Sequence, residues 1–176
     1  MRKLKLQELG RLSAEEFQQT EKTPVVVVLD SVRSLHNVGS AFRTSDAFAV
    51  EKLLLCGITG TPPDKEIRKT ALGAEDTVAW EHQKDAHEAV KKLKEDGYWV
   101  ICVEQAEGST ELQHFQPQPG QKYALVFGNE VFGVSEEVME LADGCLEIPQ
   151  FGTKHSLNVS VAMGVVLWEV VRKIRI

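Results

Sequence analysis

The chain holds only three cysteines, Cys56, Cys102 and Cys145, and none is spaced as C-x-x-C. An odd number of thiols, each set among apolar residues that read as strand, argues against a disulfide framework or a thiolate metal site. It predicts buried thiols in a reduced compartment. The opening residues lack the apolar core of a signal peptide, and no run approaches the roughly 18 apolar residues of a membrane span. The expectation is a soluble, cytoplasmic protein with no membrane association. Positive charge is also short: 20 Lys and Arg against 26 Asp and Glu leave −6 at pH 7. That balance speaks against a protein that coats nucleic acid non-specifically, while leaving room for a local basic face. Internal repeats, low-complexity tracts and interdomain linkers are missing as well.

What is present is size and alternation. At 176 residues the chain reads as one domain that buries about 70% of the surface its unfolded form exposes. Residues 1–24 form a charged extension of helical pattern, with the basic cluster Arg2, Lys3, Lys5 and Arg11 read first as a solvated face. Within it Ser13 and Glu16 have the spacing of a capping box. From Val25 the pattern alternates. Strands are expected over Val25 to Leu29, Lys52 to Ile58, Thr77 to Trp80, Tyr98 to Val103, Tyr123 to Phe127 and Cys145 to Ile148. Helices are expected over Asn37 to Phe48, Asp64 to Leu72, Lys84 to Glu95 and Val134 to Leu141. Unbroken Val, Ile and Leu in strands that alternate with helices predict an α/β fold, an open parallel sheet with helices on both faces. Ligands of such sheets collect at the carboxyl ends of the strands. The stretch from Glu107 to Gly120, rich in Gln and Pro, reads as a surface excursion.

Three segments end strands and carry residues that a scaffold does not need. The first runs from Leu29 to Arg43. Asn37 reads as an N-cap, the small residues Gly39, Ser40 and Ala41 let something approach the first turn, and Arg43 leans back toward that end. A cation aimed at a helix N-terminus suits an anion such as phosphate. The plain alternative is a surface Arg43 paired with Asp46. The second segment, Phe127-Gly128-Asn129-Glu130 with Gly133, offers a backbone able to lie against a flat ligand and a carboxylate beside it. It is neither a Walker loop nor a full G-x-G-x-x-G. The third runs from Ile148 to Arg172. A polar loop turns at Ser156, Leu157 and Asn158 into a helix whose positions from Val159 to Val171 are apolar on most sides. That pattern predicts burial on more than one side, a close backbone approach at Gly164, and a homodimer through this helix.

In this order and at these spacings the segments resemble the TrmH (SpoU) family of ribose 2′-O-methyltransferases, within the SPOUT class of RNA methyltransferases. The matching residues are Asn37-x-Gly39-x-x-x-Arg43, then Phe127-Gly128-Asn129-Glu130-x-x-Gly133. Ile148-Pro149 with Ser156-Leu157-Asn158-Val159-Ser160-x-Ala162 completes the set. The resemblance covers about Val25 to the C-terminus, a SPOUT methyltransferase domain over residues 25–176. It implies a C-terminal deep trefoil knot, which general folding rules would not suggest. It also implies S-adenosylmethionine as co-substrate and a homodimer. Gly128, Ile148 and Leu157 are implied to cradle the adenosyl part, with Glu104 touching the cofactor.

Methyl transfer from a sulfonium to a ribose hydroxyl needs the oxygen in line with the methyl carbon and its proton removed. The resemblance gives Arg43 the central catalytic place. An arginine side chain, which stays protonated, suits a phosphate clamp better than a base. Asn37 and Glu130 are expected to hold Arg43 and the loops, and Ser156 and Asn158 to complete the pocket wall, with Ser156 as helix cap. His36 and His155 lack a second ligand at metal spacing and read as polar loop contacts, so no metal is expected. Phe42, Phe48, Trp80, Trp99 and Trp168 read as core or interface. Lys65, Arg68, Lys69 and Lys154 would supply the local positive face for RNA. The short stretch before the first strand favours tRNA as the partner, with rRNA or a non-catalytic RNA-binding role as alternatives.

Overall fold

The computed structural model describes residues 1–176, the side chains of residues 6 and 7 excepted. Its centre is a seven-stranded parallel sheet. The strands are β1 (Thr23–Asp30), β2 (Val50–Cys56), β3 (Trp80–Gln83), β4 (Tyr98–Val103), β5 (Thr110–Glu111), β6 (Lys122–Phe127) and β7 (Gly144–Glu147). They lie in the order β3-β2-β1-β6-β4-β7-β5. The sequence explains why the central strands of this sheet have no wet face. Along β1, Val25, Val27 and Leu29 belong to one apolar cluster and Val26 and Val28 to the other. None of the five is more than 1% exposed. Successive strand side chains point to opposite faces, so a strand without polar residues needs cover on both sides. The same split recurs in β6, with Tyr123, Leu125 and Phe127 against Ala124 and Val126.

One cover consists of α2 (Leu35–Ala47), α3 (Lys65–Ala71) and α6 (Val159–Arg175). The other consists of α4 (Ala86–Glu95) and α5 (Glu136–Leu141). Phe42, Ile67, Met163 and Leu167 carry the first contact, and Val90, Leu93 and Val138 the second. Each fully buried side chain of this kind contributes about 1.5–3 kcal/mol. The extension contributes one short helix, α1 (Ala14–Gln19), started by the expected capping box. Ser13 Oγ accepts from the Glu16 amide at 3.2 Å, and Glu16 returns the contact to the Ser13 amide at 2.8 Å. Phe17 anchors α1 to the first cluster.

Several expectations need correction. The third strand starts at Trp80 rather than Thr77, because Ala74–Asp76 form a 3-10 turn that Thr77 closes. The helix expected from Asn37 starts at Leu35, since Ser34 Oγ accepts from the Asn37 amide and takes the capping role. The stretch from Glu107 to Gly120 is more than an excursion. It holds β5 and a 3-10 turn, and its Leu112 and Phe115 are buried, with Phe115 edge-on to Tyr123 at 5.5 Å. Within this chain α6 is covered on one side only. Val161, Val165 and Trp168 are 41–54% exposed, and a Cβ built on Gly164 meets nothing within 4 Å. Trp99 is likewise 39% exposed at its strand.

Candidate functional site

A cavity of about 480 Å³ opens at the carboxyl ends of β4, β6 and β7. That is where an open parallel sheet leaves room, beside the point where the strand order reverses, and the volume suits a small-molecule ligand. Its floor comes from the strand ends: Val103 and Glu104 at the end of β4, Phe127 and Gly128 at the end of β6, Leu146, Glu147 and Ile148 at the end of β7. Its roof is the start of α6 with Ser156, Leu157, Asn158, Val159 and Ala162.

The wall from Gly128 to Ser135 is a tight, heavily tied loop. Asn129 and Gly133 exchange both backbone hydrogen bonds at 2.9 Å. A Cβ on Gly128 would fall 2.0 Å from the Gly133 carbonyl carbon, so only glycine admits this closure. Asn129 Oδ1 accepts from the amides of Val131 and Phe132, while its Nδ2 donates to the Ser31 carbonyl at 2.7 Å. Glu104 accepts from the Val134 amide at 3.2 Å. Asp30, buried at the end of β1, accepts from both the amide and the hydroxyl of Ser135 at 3.0 and 2.7 Å.

Glu130 ties this loop to the first segment. Its carboxylate accepts from the amides of Arg33 and Ser34 at 2.9 and 3.0 Å and from Asn37 Nδ2 at 2.9 Å. Partial burial alone would raise its pKa. The amides of Arg33 and Ser34 and the Asn37 side chain outweigh that and hold it below the ordinary carboxylate range. Asn37 Oδ1 in turn accepts from Asn158 Nδ2 at 3.2 Å. Asn158 is the N-cap of α6, accepting from the amide and hydroxyl of Ser160 at 2.9 and 2.7 Å. Glu130, Asn37 and Asn158 thus form one hydrogen-bonded chain through all three segments, which lie 121 residues apart from first to last.

The structure places the remaining candidates differently from one another. Glu104, Gly128, Ile148, Leu157 and Ser156 line the cavity. Ser156 is exposed there and does not cap α6, because Asn158 reaches the first-turn amide instead. Glu130 and Asn37 hold the loops together and make no hydrogen bond to Arg43. Arg43 is exposed on α2, outside the cavity lining, and forms no ion pair among the described residues. Its suggested partner Asp46 accepts from Thr77 Oγ1 at 3.0 Å instead. Gly39 serves packing, not ligand approach: a Cβ there would lie 2.2 Å from the Ile67 carbonyl oxygen, so α3 occupies the space.

The basic residues are partly neutralised. Lys69 pairs with Glu66 at 2.8 Å, and Arg68 faces Glu75 and Asp76 at 3.6 and 3.9 Å, whereas Lys65 and Lys154 are exposed. His36 contacts Glu66 at 3.1 Å, and the His155 carbonyl receives Gln105 Nε2. Asp30 and Ser135 were missed in the sequence, although a lone acid ending an apolar strand was a usable signal. Phe132 and Phe151 were missed too, 84% and 99% exposed.

Chemically the site is built to hold and orient. The thiols are unsuited to attack, since burial foremost, with nearby acidic charge, pushes both Cys56 and Cys102 up to about 12. The cavity instead joins apolar walls, Val103, Phe127, Leu146, Ile148 and Leu157, to the carboxylates of Glu104 and Glu147. That mixture suits a ligand with a flat apolar part and a cationic centre.

Comparison with known proteins bears on that ligand. The profile of the SpoU rRNA Methylase family matches residues 24–168. A tRNA (guanosine(18)-2′-O)-methyltransferase of Thermus thermophilus is 36% identical over 169 residues, covering 94% of this chain and 84% of that protein. A 23S rRNA (guanosine-2′-O-)-methyltransferase of Pseudomonas putida is 32% identical over 93% of this chain, which spans 65% of that relative. Among solved structures, an AdoMet-bound rRNA methyltransferase from Sinorhizobium meliloti superposes with TM-score 0.80 at 26% identity, over 89% of this chain and 59% of that one. The A. aeolicus TrmH/SpoU tRNA modifying enzyme gives TM-score 0.80 at 27% identity, over 91% and 81%.

Proposed function

The chain belongs to the SpoU rRNA methylase family, and on that premise we propose that it transfers a methyl group from S-adenosylmethionine to a ribose 2′-hydroxyl of RNA, with tRNA as the substrate. The observation that carries this reading is the Glu130–Asn37–Asn158 chain at the mouth of the cavity, which locks all three sequence segments around one pocket. S-adenosylmethionine supplies an electrophilic methyl group, so the protein's task is placement. Gly128, Ile148 and Leu157 receive the adenosyl part, and Glu104 and Glu147 offset the positive sulfonium. Arg43, exposed and unpaired among the described residues, clamps the RNA phosphate next to the target ribose. Asn37, Glu130 and Asn158 keep the walls in register, and Ser156 completes the rim.

The tRNA assignment rests on the Thermus relative, matched over most of its own length, whereas the Pseudomonas rRNA enzyme is matched over less than two thirds. The working unit in this reading is a cytoplasmic homodimer. The apolar stripe Val161, Val165 and Trp168, open at Gly164, is what a second copy would cover, and α2 with Arg43 packs beside α6. The C-terminal part is read as a deep trefoil knot. It is supported by β7 lying between β4 and β5 although it follows both in the chain, and by the Gln105 contact to His155 across that passage. Residues 1–24 act as an extension of this methyltransferase domain.

The test is methyl incorporation into bulk tRNA and rRNA from cells lacking the gene, followed by mapping of 2′-O-methylated riboses. Wild type should label tRNA. Arg43→Ala should fall about 100-fold in rate with S-adenosylmethionine affinity within about twofold, as expected for lost charge stabilisation. Labelling of rRNA alone would overturn the tRNA assignment, and labelling of no RNA would overturn the function. Sedimentation of the wild-type protein as a monomer would overturn the dimer.

A further inference from the structure

The loop tip at Val131 and Phe132 presents two large apolar side chains to water, 65% and 84% exposed, while lining the mouth of the cavity. Exposure of this kind usually accompanies a loose loop, but this one is fixed. Both its ends are joined by the Asn129–Gly133 hydrogen-bond pair, and the amides of Val131 and Phe132 are held by Asn129 Oδ1 at 2.8 and 3.2 Å. Glu130, just before Val131, is bonded to the backbone of Arg33 and Ser34. A rigid aromatic ring held in solvent beside a small-molecule cavity carries a cost in exposed apolar surface that packing within the chain does not explain.

We propose that Phe132 is the platform on which the base of the target nucleotide stacks, with Arg33 beside it holding an adjoining phosphate. The inference rests on the RNA methyltransferase reading and adds a substrate-contacting residue to it. A ribose presented to the cavity mouth must leave its helical stack, and its unpaired base then needs an apolar face close to the pocket. The Phe132 ring is the exposed aromatic among the cavity-lining residues. Its two side-chain torsions and tethered backbone leave little freedom to lose on contact. The cation requirement is met locally: the Arg33 amide donates to Glu130 at 2.9 Å, which places this exposed arginine next to the tip, and it forms no ion pair among the described residues. Glu130 is engaged by the amides of Arg33 and Ser34 and by Asn37 Nδ2, and makes no ion pair with the Arg33 guanidinium.

The experiment compares full-length wild type, Phe132→Ala, Phe132→Tyr, Phe132→Leu and Arg33→Ala on the RNA fraction the wild type methylates. S-adenosylmethionine affinity and sedimentation are measured in parallel. Phe132→Ala should lose about tenfold in kcat/KM, the size of one lost base–aromatic stack, and Phe132→Tyr should restore it. Phe132→Leu, apolar but without a ring face, should not. Arg33→Ala should raise KM and lower the salt dependence of binding by about one phosphate contact. Independently of turnover, wild type should quench a 2-aminopurine base in a single-stranded oligoribonucleotide, and Phe132→Ala should not. Wild-type kcat/KM in Phe132→Ala, full activity in Phe132→Leu, or equal or no quenching by the wild type would overturn the proposal. So would a changed oligomeric state or donor affinity, which would make the tip a subunit contact or part of the donor pocket. A wild type that quenches but methylates no RNA would defeat the proposed function alone.

Discussion

The cavity has two walls of opposite character. The wall after β6 is tied at every few atoms: Asp30 holds Ser135, Glu104 holds Val134, Asn129 holds Ser31, and Glu130 holds Arg33, Ser34 and Asn37. The wall after β7 runs from Gln150 to Asn158 with each residue exposed, anchored by the Gln105 contact to the His155 carbonyl and by Asn158. The difference teaches where order must exist before a ligand arrives. Groups that set the position of the reacting atoms need a surface fixed in advance, whereas a rim that closes over a ligand can be ordered by it.

Substitutions along the two walls probe that contrast. Gly128→Ala drives a methyl group into the Gly133 and Val134 backbone. It should cost about 3 kcal/mol in denaturant unfolding and abolish calorimetric binding of S-adenosylmethionine. Full affinity would show that the fixed wall can yield. Glu130→Gln presents an amide to donors that now meet a carboxylate and should cost about 1–2 kcal/mol, moderated by the exposure of the site. Because the Glu130 pKa is lowered in the folded state, its contribution is complete above the unfolded carboxyl value of about 4.3 and is lost as pH falls through the lower folded value. The gap between wild type and Glu130→Gln should therefore narrow in acid, as read by urea titrations at neutral pH and below about pH 4. A constant gap would refute that role.

On the loose wall the expected effects are smaller. Asn158→Ala removes the α6 cap and should cost about 1 kcal/mol in the same unfolding assay. Ser156→Ala, two residues earlier, should stay within about 0.5 kcal/mol, since that exposed hydroxyl caps nothing. A larger loss in Ser156→Ala than in Asn158→Ala would reverse the assignment of the cap.

Much of this was legible in the sequence. The unbroken apolar strands demanded a sheet covered on both faces, whereas Asn37 and Glu130, expected to hold Arg43, bond each other and, through Asn37, Asn158. What the sequence does not reveal depends on neighbours that no local pattern names. Asn37 has the chemistry of a cap, but Ser34 stands three residues ahead and takes the position. Gly39 looked like an opening for a ligand because its partner, the Ile67 carbonyl, lies in another helix. Strand β5 has two residues, too few to show alternation, and exists only through its pairing with β7. The exposed rings of Phe132 and Phe151 were unreadable, since an apolar residue in a loop gives no sign of whether it is covered.

The insertion of β7 between β4 and β5 has a consequence for biogenesis. β5 has no other strand to pair with, so it joins the sheet only when residues 144–147 have arrived between it and β4. The cavity takes part of its floor from that same late strand and its roof from the helix after it. A ribosome must therefore have delivered the chain through Ala162 before this cavity has all its walls, and shorter nascent fragments lack it.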